Sequence, residues 1–153
     1  MDALHNPKSV VIKQIEYEQT YPIRQVVLRP GRSLETCFFK GDELQTTFHF
    51  GLFYQEKLTG IISIFKNNNP LFSQTDQYQI RGMAVLPEYQ KSGFGKQLVV
   101  YSEIFLRNKS ILLVWFNARE IAVDFYKKSG YQVIGKTFEI PDVGPHFVMF
   151  KKL

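Results

Sequence analysis

The sequence predicts a single α/β domain over residues 1–153, with a mixed, mostly antiparallel central sheet flanked by helices. Three observations predict it. Two β-rich runs in the first half are joined by only three residues, a spacing that suits a hairpin. In the second half, strand-like runs alternate with stretches of helical period. A chain of 153 residues, 44% hydrophobic and with 14 Phe, can bury one real core but is too short for two ordinary ones.

Val10 to Ile15 is apolar and β-branched, a first strand after a short frayed tail. Thr20 is placed to N-cap a helix carrying Pro22 in its first turn and running through Ile23, Val26 and Val27 to a stop near Pro30-Gly31. Arg32 to Gln45 has little periodicity and reads as loop or short helix. Thr46 to Tyr54 and Leu58 to Phe65 are strands flanking Gln55-Glu56-Lys57, and Lys66-Asn67-Asn68-Asn69-Pro70 is a polar loop. A strand from Gln77 to Leu86 ends at Pro87. From about Gly93 to Arg107 a helix sets Phe94, Leu98, Tyr101 and Phe105 on one stripe facing the sheet. Ile111 to Phe116 is a continuous apolar run, a strand buried on both faces. Ala118, Ile121, Ala122 and Phe125 mark the apolar face of a second helix, with Gly130 as its C′ residue. Tyr131 to Phe138 and His146 to Lys152 are the closing strands, joined by Glu139 to Pro145.

The net charge of 19 − 14 = +5 suits a polyanionic cofactor, and equally a solvated face. The basic residues are scattered, with no run longer than a pair such as Lys127-Lys128, which disfavours nucleic acid as a partner. One cysteine, Cys37, excludes an internal disulfide, and no Cys/His cluster has zinc spacing, so no metal is expected. No apolar run approaches a membrane span and the N-terminus lacks an apolar leader core. The expectation is a soluble, cytoplasmic protein with no membrane partner.

The chemistry concentrates in Tyr78 to Arg107. Strand, glycine-rich turn and helix start aim several backbone N–H groups and a helix dipole at one anion. Gly93 and Gly95 let the backbone approach a ligand, and Lys91 and Lys96 flank the turn with positive charge; the plain alternative is that the glycines only turn the corner. No Gly-Lys-Ser/Thr ending follows, which disfavours a nucleoside-triphosphate loop, and Leu98 stands where the dinucleotide fingerprint needs glycine.

What remains, Val85-Leu86-Pro87-Glu88-Tyr89-Gln90-Lys91-Ser92-Gly93-Phe94-Gly95, closely resembles the acyl-coenzyme A loop of the GNAT N-acetyltransferases. Trp115 to Tyr131, with Phe125-Tyr126 ahead of Gly130-Tyr131, is similar to the family's strand, helix and Phe-Tyr-x-x-x-Gly ending. The resemblance implies the GNAT fold, with central strands splayed apart at their C-terminal ends. It implies acetyl-coenzyme A as cofactor, with Met83, Ala84 and Val85 touching its arm through main chain and Gln90, Lys91, Ser92, Gly93, Phe94, Gly95 and Lys96 holding its pyrophosphate. Tyr126 resembles the tyrosine that protonates the leaving thiolate, a role that suits a high-pKa phenol. From the residues alone it is as well a helix tyrosine completing the core. Where many relatives carry Asn seven residues before this tyrosine, the chain has Arg119. Asn117 is expected to take over the contact to the pantetheine, with Arg119 meeting a phosphate.

Relatives that use a Glu as base carry it in a region occupied here by Gln79, Arg81 and Met83. His146 is the first substitute as general base and His49 the second, against structural roles for both and deprotonation by water. The implied activity is direct transfer of an acetyl group to a primary amine, in which the enzyme mainly positions the reactants. The alternative is a non-catalytic coenzyme A sensor of the same fold. Phe38, Phe39, Phe138 and Phe147 point to a small, partly apolar acceptor. A homodimer is the prior for a small enzyme.

Overall fold

The computed structural model describes residues 9–153; the tail before the first strand lies outside them. Seven strands form one sheet in the order β1-β2-β3-β4-β5-β7-β6. The strands are β1 Val10–Ile15, β2 Phe48–Tyr54, β3 Lys57–Lys66, β4 Gln77–Val85, β5 Leu113–Arg119, β6 Gln132–Ile140 and β7 Gly144–Lys152. The helices are α1 Tyr21–Val27, α2 Phe94–Asn108 and α3 Val123–Lys127. β4 and β5 run parallel, while β1–β2, β2–β3, β5–β7 and β6–β7 are antiparallel. Two compact units share the chain. One runs to Phe65 and takes in Arg81–Ser102, and the other comprises Lys66–Ile80 and Glu103–Leu153.

In the first unit the hairpin is tighter than expected. Tyr54 pairs with Lys57, which leaves Gln55 and Glu56 as a two-residue loop, both with positive φ (49° and 70°). That is the backbone of a type I′ turn, adopted here without the usual Asn-Gly because it matches the twist of the strands. Thr20 precedes α1 but makes no side-chain cap; its hydroxyl donates to the Tyr17 carbonyl at 2.6 Å, closing the 3-10 turn Tyr17–Thr20. Ile15, Ile23, Ile61 and Ala84 form a buried cluster with Val27, Leu28, Phe53, Leu58 and Leu86 packed on it.

The buried face of α2 is rotated from the expected stripe. Phe94, Leu98, Val99, Ser102, Glu103 and Leu106 are buried, whereas Tyr101 and Phe105 are half-buried. The polar members of that face are accommodated by hydrogen bonds. Ser102 Oγ donates back to the Leu98 carbonyl at 2.9 Å. Apolar spacing alone passes over them.

In the second unit, Trp115 Nε1 donates to the Asn67 carbonyl at 2.9 Å, and the Gln77 side chain bonds both the N–H and the carbonyl of Asn69, fastening the polar loop. Glu103 accepts from Tyr131 Oη at 2.8 Å and Lys151 Nζ at 3.1 Å. β5 starts at Leu113 and continues through Asn117, Ala118 and Arg119.

The expected second helix is much shorter, a 3-10 turn Glu120–Ala122 followed by five residues of α3. Its expected apolar face is overturned. Ala118 is a buried strand residue, while Ile121 is 89% and Phe125 47% exposed. Strand pairing with β7 carries the chain as far as Arg119, so the helical register starts later than the apolar spacing implied. Gly130 does terminate α3. Its φ is +93°, and the Tyr131 N–H reaches back to the Tyr126 carbonyl at 3.1 Å.

Candidate active site

In the first unit, Pro87–Tyr89 form a 3-10 turn after β4, and the chain then enters α2 through Gln90 to Gly93. Lys91 and Gly93 both have positive φ, 66° and 83°. Open space surrounds the position of a Cβ on Gly93, and one on Gly95 would meet only Met83, at 3.6 Å. The glycine at 93 is therefore required by backbone angle, with nothing of the protein filling the space beside it. Gln97 N–H makes the first helical bond, to the Gly93 carbonyl, and the N–H groups before it in the first turn have no partner within the helix.

Two loop side chains are committed internally. Gln90 Nε2 donates to the Val85 carbonyl at 2.9 Å, bracing the loop on the strand end, and Ser92 Oγ donates to the Tyr89 carbonyl at 2.7 Å. Lys91 and Lys96 are exposed. A cavity of about 590 Å³ opens beside the loop, lined by Val10, Tyr54, Tyr89, Ser92, Phe94 and Gln97. Along β4, Ala84 is buried and Met83 and Val85 are half-buried.

In the second unit, the β4–β5 register spans only Gln77–Gln79 against Leu113–Trp115. β5 continues on the other side against β7, where Asn117 pairs with Val148 and Arg119 with His146. Asn117 and Arg119 are exposed around the buried Ala118. Tyr126, on α3, packs its ring against Phe116 at 4.4 Å and Phe125 at 5.1 Å between centroids. Its hydroxyl makes no hydrogen bond within the described residues, and burial pushes its pKa up to about 12. Such a phenol keeps its proton until another group takes it.

The two histidines differ. His146 is buried on β7, with Nδ1 2.8 Å from the Gly144 carbonyl. A carbonyl can only accept, so Nδ1 carries a hydrogen, and Nε2 has no partner among the described residues. His49 Nε2 by the same logic donates to the Asp42 carbonyl at 2.9 Å, while Nδ1 lies 2.7 Å from Ser63 Oγ. Both His49 nitrogens are used, and burial lowers its pKa below the ordinary 6.5.

Cys37 is fully buried, its carbonyl accepting from Arg24 at 2.7 Å; Phe39 is buried beneath the same arginine, and Phe38 is 44% exposed against Tyr17. Phe138 lies 5.9 Å from the His146 ring, and Phe147 is half-buried on β7. Sequence reasoning missed the buried Arg24–Asp42 pair, bidentate at 2.6 and 3.0 Å. The one available signal was an arginine among Ile23, Val26 and Val27. Among the described residues no cluster of His, Cys, Asp or Glu could hold a metal ion, and no helix is long and apolar enough to cross a membrane.

Residues 12–131 match the Acetyltransferase (GNAT) family. A Bacillus subtilis (strain 168) protein named uncharacterized N-acetyltransferase YitI is 38% identical over 142 residues, 93% of this chain and 95% of its own. Among solved structures, the ribosomal-protein-S18-alanine N-acetyltransferase from Escherichia coli superposes with a TM-score of 0.72 at 18% identity, covering 94% of each chain. An aminoglycoside 6'-N-acetyltransferase complexed with coenzyme A gives 0.69 at 13% identity, over 93% of this chain and 96% of that one. At such identities these two share the fold.

Proposed function

The chain belongs to the GNAT acetyltransferase family and is an acyltransferase, and from that premise we propose that it transfers an acetyl group from acetyl-coenzyme A directly to a primary amine of a small-molecule acceptor. The observation that carries this reading is the turn at Lys91 and Gly93, where two positive φ angles lead into a fifteen-residue helix with open space at Gly93. That geometry fits a pyrophosphate, since unpartnered N–H groups and the positive end of a helix favour an anion. A solved relative of this fold holds coenzyme A, which supports the same ligand here.

In this reading Gln90 to Lys96 bind the phosphates, and Met83, Ala84 and Val85 hold the pantetheine arm through main chain. Asn117 contributes a side-chain amide to the arm, and Arg119 a positive charge to a phosphate. When bound, acetyl-coenzyme A supplies an acyl carbon activated by a thioester. Tyr126 holds a proton at Oη that suits an emerging thiolate, and its raised pKa keeps that proton in place at neutral pH. His146 Nε2, the open nitrogen of the two histidines, is the acceptor for the proton lost by the amine. His49 has no nitrogen to offer. An acetyl-coenzyme A donor is consistent with action in the cytoplasm.

Calorimetric titration with acetyl-coenzyme A tests the reading. Wild type is expected to bind, and a folded Gly93→Asp/Gly95→Asp variant is expected to lose binding, because each change puts a carboxylate where the phosphates belong. Equal binding by both proteins would remove the loop from the account.

A further inference from the structure

Phe39 is a buried ring in the first unit with three guanidinium groups around it. The Cζ atoms of Arg24, Arg81 and Arg29 lie 3.9, 5.0 and 5.8 Å from its centroid, and Arg81 is also 5.2 Å from that of Phe65. The three cations are not equally satisfied. Arg24 is fully buried and spends its terminal nitrogens on Asp42, Ser63 Oγ and the Cys37 carbonyl. Asp42 is consumed in turn, since besides Arg24 it accepts the Phe39 N–H at 2.7 Å. Neither the Arg81 nor the Arg29 side chain makes a hydrogen bond or an ion pair within the described residues, whereas the Arg29 backbone bonds Arg24 and Arg32.

Three arginines thus face one aspartate. Stacking on two rings does not replace a counter-ion, because a cation–π contact is worth only about 0.5–2 kcal/mol and leaves all five N–H donors unmet. Burial works against the Arg81 charge, as do Arg24 and Arg29, and Asp42 alone opposes them. The backbone reinforces the placement. Gly82 has φ +67°, and a Cβ there would lie 2.9 Å from Phe39 Cε2 and 3.5 Å from Arg24 Nε, itself a buried nitrogen with no partner. Consecutive residues of β4 therefore crowd one ring, and the strand leaves unmet donors beside it.

A half-buried, planar guanidinium with an unused fork is matched by a carboxylate. The phosphates of the cofactor are poor candidates for it. Arg81 stands mid-strand, two residues before Met83 and about 7 Å back along the strand at ~3.3 Å per residue, whereas the phosphate loop follows the strand's C-terminal end. We infer that Arg81, with Arg29 as a neighbouring charge, seats a carboxylate of the acceptor, so that the acceptor belongs to the class of small molecules carrying both an amine and a carboxylate, such as free amino acids. The inference rests on the acetyltransferase reading above and narrows its substrate.

The test is acylation kinetics at saturating acetyl-coenzyme A on matched amines: apolar amino acids, their decarboxylated amines and their aminophosphonate analogues. Wild type, Arg81→Gln and Arg81→Lys are compared, each checked for folding and for acetyl-coenzyme A binding by calorimetry. Wild type is expected to favour the carboxylate over the decarboxylated amine by roughly 10- to 100-fold in kcat/KM, the factor a charge-assisted pair carries. Arg81→Gln is expected to erase that preference by raising KM, and Arg81→Lys to keep part of it, since the charge remains and the fork is lost. Decarboxylated or phosphonate amines used as well as or better than amino acids, no acylation of any carboxylate-bearing amine, or a preference that survives in folded Arg81→Gln would each overturn the seat while acetyl-coenzyme A still binds. Failure of wild type to bind acetyl-coenzyme A would instead overturn the underlying reading, and the seat with it.

Discussion

Each of the two units buries a histidine on a strand, and the two rings are held in opposite ways. His49 sits in a closed network in which Arg24, Asp42 and Ser63 all engage one another or the ring, so every nitrogen of the imidazole has a partner. His146 is buried to nearly the same degree, yet one carbonyl holds one nitrogen and the other nitrogen is open. Tyr126, in the same unit as His146, has a half-buried ring and a hydroxyl with no hydrogen bond among the described residues. Residue type and burial do not separate a structural polar group from one available for chemistry. What differs between the two histidines is the number of ring nitrogens with a partner.

The closed network is expected to answer to mutation in stability. Asp42→Ala removes the carboxylate that, among the described residues, pairs with the fully buried Arg24 guanidinium, which costs about 3–5 kcal/mol because the charge is left behind; urea denaturation measures it, and a loss under 1 kcal/mol would break the contrast. Acid acts on the same network by a smaller amount. His49 has a folded pKa below its unfolded value of 6.5, so the unfolded chain takes up the proton first. Its contribution is fully present above pH 6.5 and drains away as pH falls toward the folded pKa. NMR titration should find the midpoint of this ring in the folded protein below 6.5.

His146→Gln is expected to do the least to folding, within about 1 kcal/mol if the new amide keeps the Gly144 carbonyl bonded. Its effect should appear in rate. A loss of about 10²-fold in kcat/KM is the expectation for a removed general base. An unchanged rate would assign the proton to water.

Most of the fold was legible because the signals were local. The apolar run at Val10–Ile15, the short connection between β2 and β3, Pro87 after β4 and Gly130 after α3 each fix a boundary through their own backbone preferences. The α3 region was misread because Ile121 and Phe125 satisfy a helical period while facing solvent, and pairing of β5 with β7 decided the conformation as far as Arg119. The glycine loop was legible for the same local reason. The Arg24–Asp42 pair and the unmet fork of Arg81 were not. They depend on residues 18 and more apart in sequence meeting in space, and nothing in either neighbourhood announces the partner.

Tyr126→Phe separates the proton of the phenol from the packing of its ring. The substitution keeps the ring that packs on Phe116 and deletes only the hydroxyl. With acetyl-coenzyme A affinity measured alongside, kcat is predicted to fall by about 10²- to 10³-fold, the contribution of a positioned general acid, while binding and folding stay at the wild-type level. Turnover at the wild-type rate would show instead that the half-buried Tyr126 hydroxyl carries no proton to the leaving group.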